Sequence, residues 1–335
     1  MRKIVPFLLL AALPASFLAC KSSKEELLPE TPDQYLSLQP GKYIIYRLDS
    51  TVYTNSGRTT EWHSYQERHL VDTIVTDALG RPAWRIFRSL RNVNGSGAWM
   101  PAGTFLATVT AGTYELQEDN MRSIRLTTPV REGAAWRGNR FLGADPYNNL
   151  YAFDNDNNIA DWDFTVTGVN QDLTLNGKSY SGVASVDIVN EQLLPDTIDV
   201  SGSSVQIPTG SKLVWLRGNS TANTITLTPP ATPPPGRLLS VYNFTNRPVV
   251  LNGIETLPTL GRNYEYYNNS WTYGNGEDTT TAYLPFGFRS FAREQYARGV
   301  GLVAQEYVLY EFQPNPNGTP YTIGFGVKRT ILEHN

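Results

Sequence analysis

The stretch Leu173-Thr174-Leu175-Asn176-Gly177-Lys178-Ser179-Tyr180 carries an Asn-Gly pair between two short alternating runs. Asn and Gly enter the left-handed backbone region at low cost, so the pair suits the two-residue turn of a β-hairpin. The same period of two spreads in both directions. Upstream, Trp162, Phe164 and Val166 alternate with Asp161, Asp163, Thr165 and Thr167, and Ile44, Tyr46 and Leu48 share one face of a run. Downstream, Ala184, Val186 and Ile188 alternate with Ser185 and Asp187, and Val308, Tyr310 and Phe312 with Leu309 and Glu311. A strand with one apolar side belongs to an antiparallel sheet with one buried and one wet face. Turn signals separate the runs at Asn55-Ser56-Gly57, Leu79-Gly80, Asn94-Gly95 and Asn317-Gly318. The expected fold is all-β: an antiparallel meander forming a barrel or half-barrel, which hides strand edges. One short helix is expected from Ser290, as its cap, to Arg298, with Gly299 ending it.

Residues 201–276 read differently. Charges thin out, and Pro, Thr and Asn rise around Val205-Gln206-Ile207, Leu213-Val214-Trp215-Leu216 and Thr224-Ile225-Thr226-Leu227. A proline cluster (Pro229, Pro230, Pro233, Pro234, Pro235) leads to Gly236-Arg237, then Tyr242-Asn243, Val250-Leu251-Asn252-Gly253 and a hairpin around Asn268-Asn269. This pattern resembles a short β-module of phage tail fibres and other extracellular β-proteins. The resemblance implies a small β-module inserted into a main domain formed by residues 35–200 and 277–335. The main domain's own stretches resemble an uncharacterised group of Bacteroidetes outer-membrane or surface lipoproteins. They are Gly133-Ala134-Ala135-Trp136-Arg137-Gly138-Asn139, Asn176-Gly177-Lys178-Ser179-Tyr180, Tyr296-Ala297-Arg298-Gly299-Val300-Gly301-Leu302-Val303, and Gly324-Phe325-Gly326-Val327-Lys328 onward. That likeness implies location and β-class and brings no known activity.

Residues 1–19 read as a signal peptide: basic Arg2 and Lys3, then an apolar stretch from Ile4 to Leu18. At about 15 residues the stretch is shorter than the roughly 20 of a spanning helix. Phe17-Leu18-Ala19-Cys20 resembles the lipobox of bacterial lipoproteins, which implies cleavage before Cys20 and acylation of that residue. Cys20 is the one cysteine in the sequence, so no internal disulfide can form. Residues 20–34 form a polar tether, in which Lys24-Glu25-Glu26 resembles the export signal of Bacteroidetes surface lipoproteins. The expected location is the outer membrane, lipid-anchored and facing the cell surface. Loss of Arg2 and Lys3 takes the formal net charge from −3 to −5. A mildly acidic chain without a basic cluster lacks the electrostatic footprint of a nucleic-acid binder.

Chemical motifs are sparse. His63 and His69 would share a strand face but stand about 20 Å apart by the strand rise. No Gly-x-Ser-x-Gly elbow occurs. Gly299-Val300-Gly301 fits a dinucleotide loop only in letters, because Gln305 to Phe312 alternates as a strand where that loop needs a helix. No cofactor is therefore expected. Asp154, Asp156, Asn158 and Asp161 set oxygen ligands on a tight loop, as a calcium loop does, but Ile159 stands where that loop needs Gly. A solvated turn is the competing reading. Tyr264, Tyr266, Trp271 and Tyr273 form an aromatic hairpin that would either stack on a ligand or fill a small core.

Three functional readings stay open at this point. The first is a non-enzymatic binding or adhesion lipoprotein whose inserted module contacts a polysaccharide or protein. The second is a periplasm-facing, lipocalin-like barrel carrying a small hydrophobic ligand. The third is a carbohydrate-active enzyme, which would need two carboxylates about 5–9 Å apart.

Overall fold

A computed structural model describes residues 29–335 apart from 152, 154–157, 194, 212, 232–238, 260–262, 268–269, 274–285 and 314–318. The signal peptide, Cys20, most of the tether, the Asn268-Asn269 and Asn317-Gly318 turns, and Pro233 to Pro235 lie outside the described residues.

Strands β1 (Tyr43–Thr54), β2 (Thr59–Thr76), β3 (Pro82–Asn92), β4 (Met100–Val109), β5 (Thr113–Glu118) and β6 (Met121–Thr127) run as an antiparallel meander. A second run follows: β7 (Ala135–Arg137), β8 (Asp163–Leu175) and β9 (Lys178–Leu193). The chain then makes the eight module strands, from β10 (Asp196–Asp199) to β17 (Ser270–Tyr273). It re-enters the main sheet as β18 (Gly287–Ala297), β19 (Gly301–Gln313) and β20 (Tyr321–His334). β20 pairs with β1, so the two ends of the main domain are neighbours in a twelve-stranded sheet. Its outermost strands, β6 and β7, meet at one point. Ile124 N–H donates to the carbonyl of Gly138 at 2.8 Å, and the Trp136 indole N–H donates to the carbonyl of Ile124 at 2.8 Å. The sheet is thereby nearly closed into a barrel, which leaves little free edge.

Local chemistry sets the turns. Asn176 (φ 49°) and Gly177 (φ 74°) sit between the paired residues Leu175 and Lys178, as the Asn-Gly reading requires. Asp119 and Asn120, with φ of 49° and 62°, make the same kind of turn between Glu118 and Met121. That turn escaped the sequence reading because neither residue is glycine. Register shifts near Ile45/Tyr46, Val71/Ile74 and Gln295/Tyr296 are bulges, and bulges bend strands enough to curve a sheet.

Two expectations are corrected. The segment expected as a helix from Ser290 to Arg298 lies almost wholly in β18, whose buried residues are Gly287, Ser290, Ala292, Glu294, Tyr296 and Ala297. Ser and Gly at its ends are only local cap signals, and ladders to β9 and β19 override them. On β19 the buried face is Val303, Gln305, Tyr307 and Leu309, so Val308, Tyr310 and Phe312 point outward. A strand presents one parity to each side, and this one turns its more polar parity inward.

The module starts earlier than residue 201, because β10 already pairs with β12 (Leu213–Arg217). β12 pairs in parallel with β14 (Leu239–Asn243), which continues into antiparallel β16 (Asn263–Tyr267) and β17. The intervening strands β11 (Ser204–Gln206), β13 (Ile225–Thr228) and β15 (Val249–Val250) form a second, parallel sheet. Successive strands thus alternate between two sheets, as in a coil wound around one core. Val214, Leu216, Ile225, Leu239, Val241 and Val249 are fully buried in that core. Asn243 is also fully buried, and its amide donates to the carbonyls of Arg247 (2.8 Å) and Pro258 (3.0 Å), tying turns together.

Entry to and exit from the module are adjacent, because Leu193 on β9 pairs directly with Phe288 on β18. Such paired residues are about 4.5–5.5 Å apart, a gap that a two-residue turn closes. Replacing residues 194–287 by Asn-Gly should leave a barrel that melts in one cooperative transition. A broad, non-cooperative thermal unfolding curve would show instead that module and barrel share a core.

Candidate functional site

A twelve-stranded ring is wider than the eight-stranded ring that ordinary side chains just fill. Long polar side chains occupy the middle here. Glu67 on β2 is completely buried, and an isolated buried carboxylate is prohibitively costly. It is clamped side-on by Arg329 of β20, whose Nε donates to Oε2 at 2.7 Å and Nη2 to Oε1 at 3.2 Å. Arg88 of β3 donates from Nε to the same Oε1. His69 Nε2 lies 3.2 Å from Oε1, without the alignment a hydrogen bond needs. Its ring instead meets Tyr46 and Phe105 edge-on, at 5.0 and 4.9 Å between centroids.

A second carboxylate, Glu294 of β18, is equally enclosed. Its Oε1 accepts from Arg125 Nη1 (2.7 Å), Tyr307 OH (2.7 Å) and Gln305 Nε2 (2.8 Å), and its Oε2 accepts from Tyr296 OH at 2.5 Å. Gln305 joins the halves, because its Oε1 accepts from Arg329 Nη1. Arg329 also reaches Glu118 of β5 at 3.4 Å. The network contains three carboxylates and three guanidinium groups.

Burial alone would push the Glu67 carboxyl up, but Arg329 and His69 outweigh it and hold the group well below the usual carboxylate range. Burial opposes the charge on Arg125, and Glu294 more than restores it; Glu67 does the same for Arg329. Burial, helped by Glu294, drives the Tyr296 and Tyr307 phenols well above their ordinary value, so both stay neutral donors. Glu67 therefore stays ionised and paired, which unsuits it to giving up a proton as a general acid.

Glu118, Gln305 and Arg329 also partition the lumen. On one side lies a cavity of about 80 Å³, lined by part-buried Leu36, Leu38 and Val300 and by buried Tyr46, Tyr114 and Tyr296, among others. On the other lies one of about 70 Å³ lined by Arg125, Ser123, Asn139, Tyr147, Tyr151 and Phe325, among others. The first cavity's end is strapped by the N-terminal segment. There Gly299 N–H donates to Gln34 O at 2.8 Å, Tyr35 OH donates to Glu30 at 2.5 Å, and Arg298 pairs with Glu30.

The aromatic residues expected to form a contact surface are placed otherwise in part. Tyr264 is fully buried, and its hydroxyl accepts from Leu257 N–H at 3.0 Å. Tyr266 is also buried and packs on Trp271 at 5.2 Å. Both tyrosines serve the module core: a narrow coil lacks bulk, and large rings close its end. Trp271 is half-buried against that core. The backbone of Tyr273 pairs with Tyr264, while its side chain lies outside the described residues. Of the metal candidates, Asp154 and Asp156 also lie outside them. Asn158 takes a left-handed backbone (φ 47°) and donates to Asp161, whose carboxylate pairs with Arg137 at 2.9 Å. No cluster of three metal-ligating side chains occurs among the described residues.

Sequence reasoning missed the lumenal network. Its signal was present: Arg329 shares parity with Ile331, and Glu294 with Ala292 and Tyr296. An assumed apolar inner face hid it.

No protein-family model matches this chain, and no curated protein does. A solved Bacteroides fragilis structure, of a protein described as exported with a YmcC-like fold, aligns over 88% of this chain and 97% of its own. The aligned residues are 8% identical and the TM-score is 0.27, too low to carry an argument.

Glu294→Ala should cost about 3–5 kcal/mol of unfolding free energy, because it strands the Arg125 charge inside the barrel. A loss below 1 kcal/mol in urea unfolding would contradict the network's role. Glu67 predicts a pH dependence. Its folded pKa is depressed, so its stabilisation is complete above the ordinary carboxylate pKa of about 4.3 and is lost as pH falls through the lower folded value. The wild-type stability curve should steepen below about pH 4, and that steepening should be weaker in Glu67→Gln.

Proposed function

We propose that this protein is an exported lipoprotein, held to the outer membrane through acylated Cys20 and displayed at the cell surface, with a binding or adhesion role rather than a catalytic one. The observation that carries the reading is that Glu67 and Glu294 are both enclosed and saturated by partners within the barrel. A barrel so braced acts as a stiff platform, and the module projects from adjacent positions on β9 and β18. Among the described aromatic side chains of that hairpin, half-buried Trp271 is the one left to contact a polysaccharide or protein partner. Aromatic anchors of this kind dominate binding energies.

The tether supports the same reading. The ten residue-to-residue steps from Cys20 to Glu30 span at most about 35 Å when extended. The strapped end of the barrel, where Glu30 is fastened, would therefore stay close to the bilayer. A lipocalin-like carrier is less well supported, because the two lumenal cavities are walled partly by charge, with Glu118 and Arg329 lining both.

Cys20→Ser should move the protein from the membrane pellet to the soluble fraction. Retention in the pellet after a high-salt wash would end the lipoprotein reading. An antibody to the mature chain should label intact cells, whereas labelling only after permeabilisation would assign the periplasmic side. Trp271→Ala should weaken binding to whole cells or polysaccharide at least tenfold without lowering Tm by more than a few degrees. A variant that binds normally would remove Trp271 from the contact surface.

A further inference from the structure

We propose that the turn joining β2 to β3, with Leu79 at its apex, docks on the lipid surface to which the chain is tethered. The proposal rests on acylation of Cys20 and goes beyond it, because an anchor holds a barrel near a bilayer without choosing the face it presents. A series of contacts sets this turn beside the tether. Val130 N–H donates to the carbonyl of Glu30 at 2.8 Å, and two residues earlier Thr128 N–H donates to the carbonyl of Gly112, also at 2.8 Å. Gly112 lies in the turn between β4 and β5. From the β2–β3 turn, Arg81 reaches Glu115 of β5 at 2.7 Å. The same hairpin runs past the N-terminal strap. Val71 N–H donates to the carbonyl of Lys42 at 2.8 Å, and the five residues of β2 beyond it, to Thr76, add about 15 Å of strand.

What this hairpin exposes is apolar. Leu79 is 60% exposed and Ile74 is 54% exposed. Apolar side chains scattered singly over a surface need no explanation, but these two share one hairpin at the end where the tether is fastened. Ile74 pairs with half-buried Trp84, so an indole lies on the same face. Indoles suit the boundary between hydrocarbon and water, where one side is apolar and the N–H stays wet.

The turn is also stiff, and its charges are paired. Buried Asp77 accepts at Oδ1 from the N–H groups of Leu79 and Arg81, both at 2.9 Å. Its own N–H donates to the carbonyl of Arg81 at 2.8 Å. Arg81 Nε donates to Asp77 Oδ2 at 2.9 Å, and Nη2 donates to Glu115. Ala78, Leu79 and Gly80 at the apex carry no charge, and neither do Thr110, Ala111 and Gly112 in the neighbouring turn. Entry of the apex among lipid headgroups therefore strands no unpaired charge. A wedge this small binds a bilayer weakly by itself, but a lipid anchor turns its contact into an intramolecular event.

The test uses the mature acylated chain in vesicles of phosphatidylethanolamine and phosphatidylglycerol. Acylation consumes Cys20, the one cysteine of the sequence, so Leu79→Cys supplies a single thiol for a fluorophore. Exposed Ala98, in the turn at the far end of β3, gives the control Ala98→Cys. Lipids with a quencher on the acyl chain should quench the Leu79→Cys label at least threefold more than the Ala98→Cys label. Adding Ile74→Asp, an exposed position that leaves the label in place, should lower the quenching of the Leu79→Cys label at least twofold. Equal quenching at the two positions, or no effect of Ile74→Asp, overturns the docking and leaves the anchor standing. Labelling of the wild-type chain would show a free Cys20 thiol, which overturns the anchor and the docking together.

Discussion

Glu294 and Glu67 are two carboxylates sealed inside a nearly closed barrel, and neither can be there alone. Each enclosed charge needs an opposite charge with matching geometry, so the strands must bring guanidinium groups to them. Arg125 on β6 meets Glu294 on β18, and Arg329 on β20 meets both Glu67 on β2 and Glu118 on β5. Arg125 with Glu294, and Arg329 with Glu118, join strands several places apart around the sheet, whereas β2 and β20, which carry Glu67 and Arg329, are separated only by β1. Shifting any of these strands by one residue would send a charge outward and strand its partner inside. The network therefore specifies register around the ring, a constraint that apolar side chains impose less sharply. Its net contribution to stability need not be large for that purpose.

Barrel width makes this arrangement necessary. With twelve strands the centre is too far from the walls for Val or Ala to fill, so Arg, Gln, Glu and Tyr reach inward and bond to one another. Leu36 and Leu38 line one remaining cavity, and Tyr147 and Tyr151 pack on Phe325 beside the other. Two small chambers lie on either side of Glu118, Gln305 and Arg329.

The module solves a different problem with different means. Its cross-section is narrow, so Val, Leu and Ile from two sheets meet directly, and buried Asn243 satisfies the backbone carbonyls of its turns. Tyr264 and Tyr266 close its end. Because it enters and leaves beside one paired position, Leu193 with Phe288, it imposes little on the barrel. Such an arrangement separates the stiff part of the molecule from the part free to vary.

What could be read from the residues alone was local. Asn176-Gly177 dictates a hairpin because few other pairs tolerate two successive left-handed residues, and the alternation of Trp162, Phe164 and Val166 dictates a half-buried strand; all three are buried. Those signals are short-range and sufficed for an all-β barrel. Which parity of β19 faces inward, why Ser290 to Ala297 is a strand rather than a helix, and which carboxylate meets which guanidinium depend on partners up to 262 residues away in the chain. Only closure of the sheet brings those residues together. Once water is excluded there, pairing of charge rather than hydrophobicity decides which side chains turn inward.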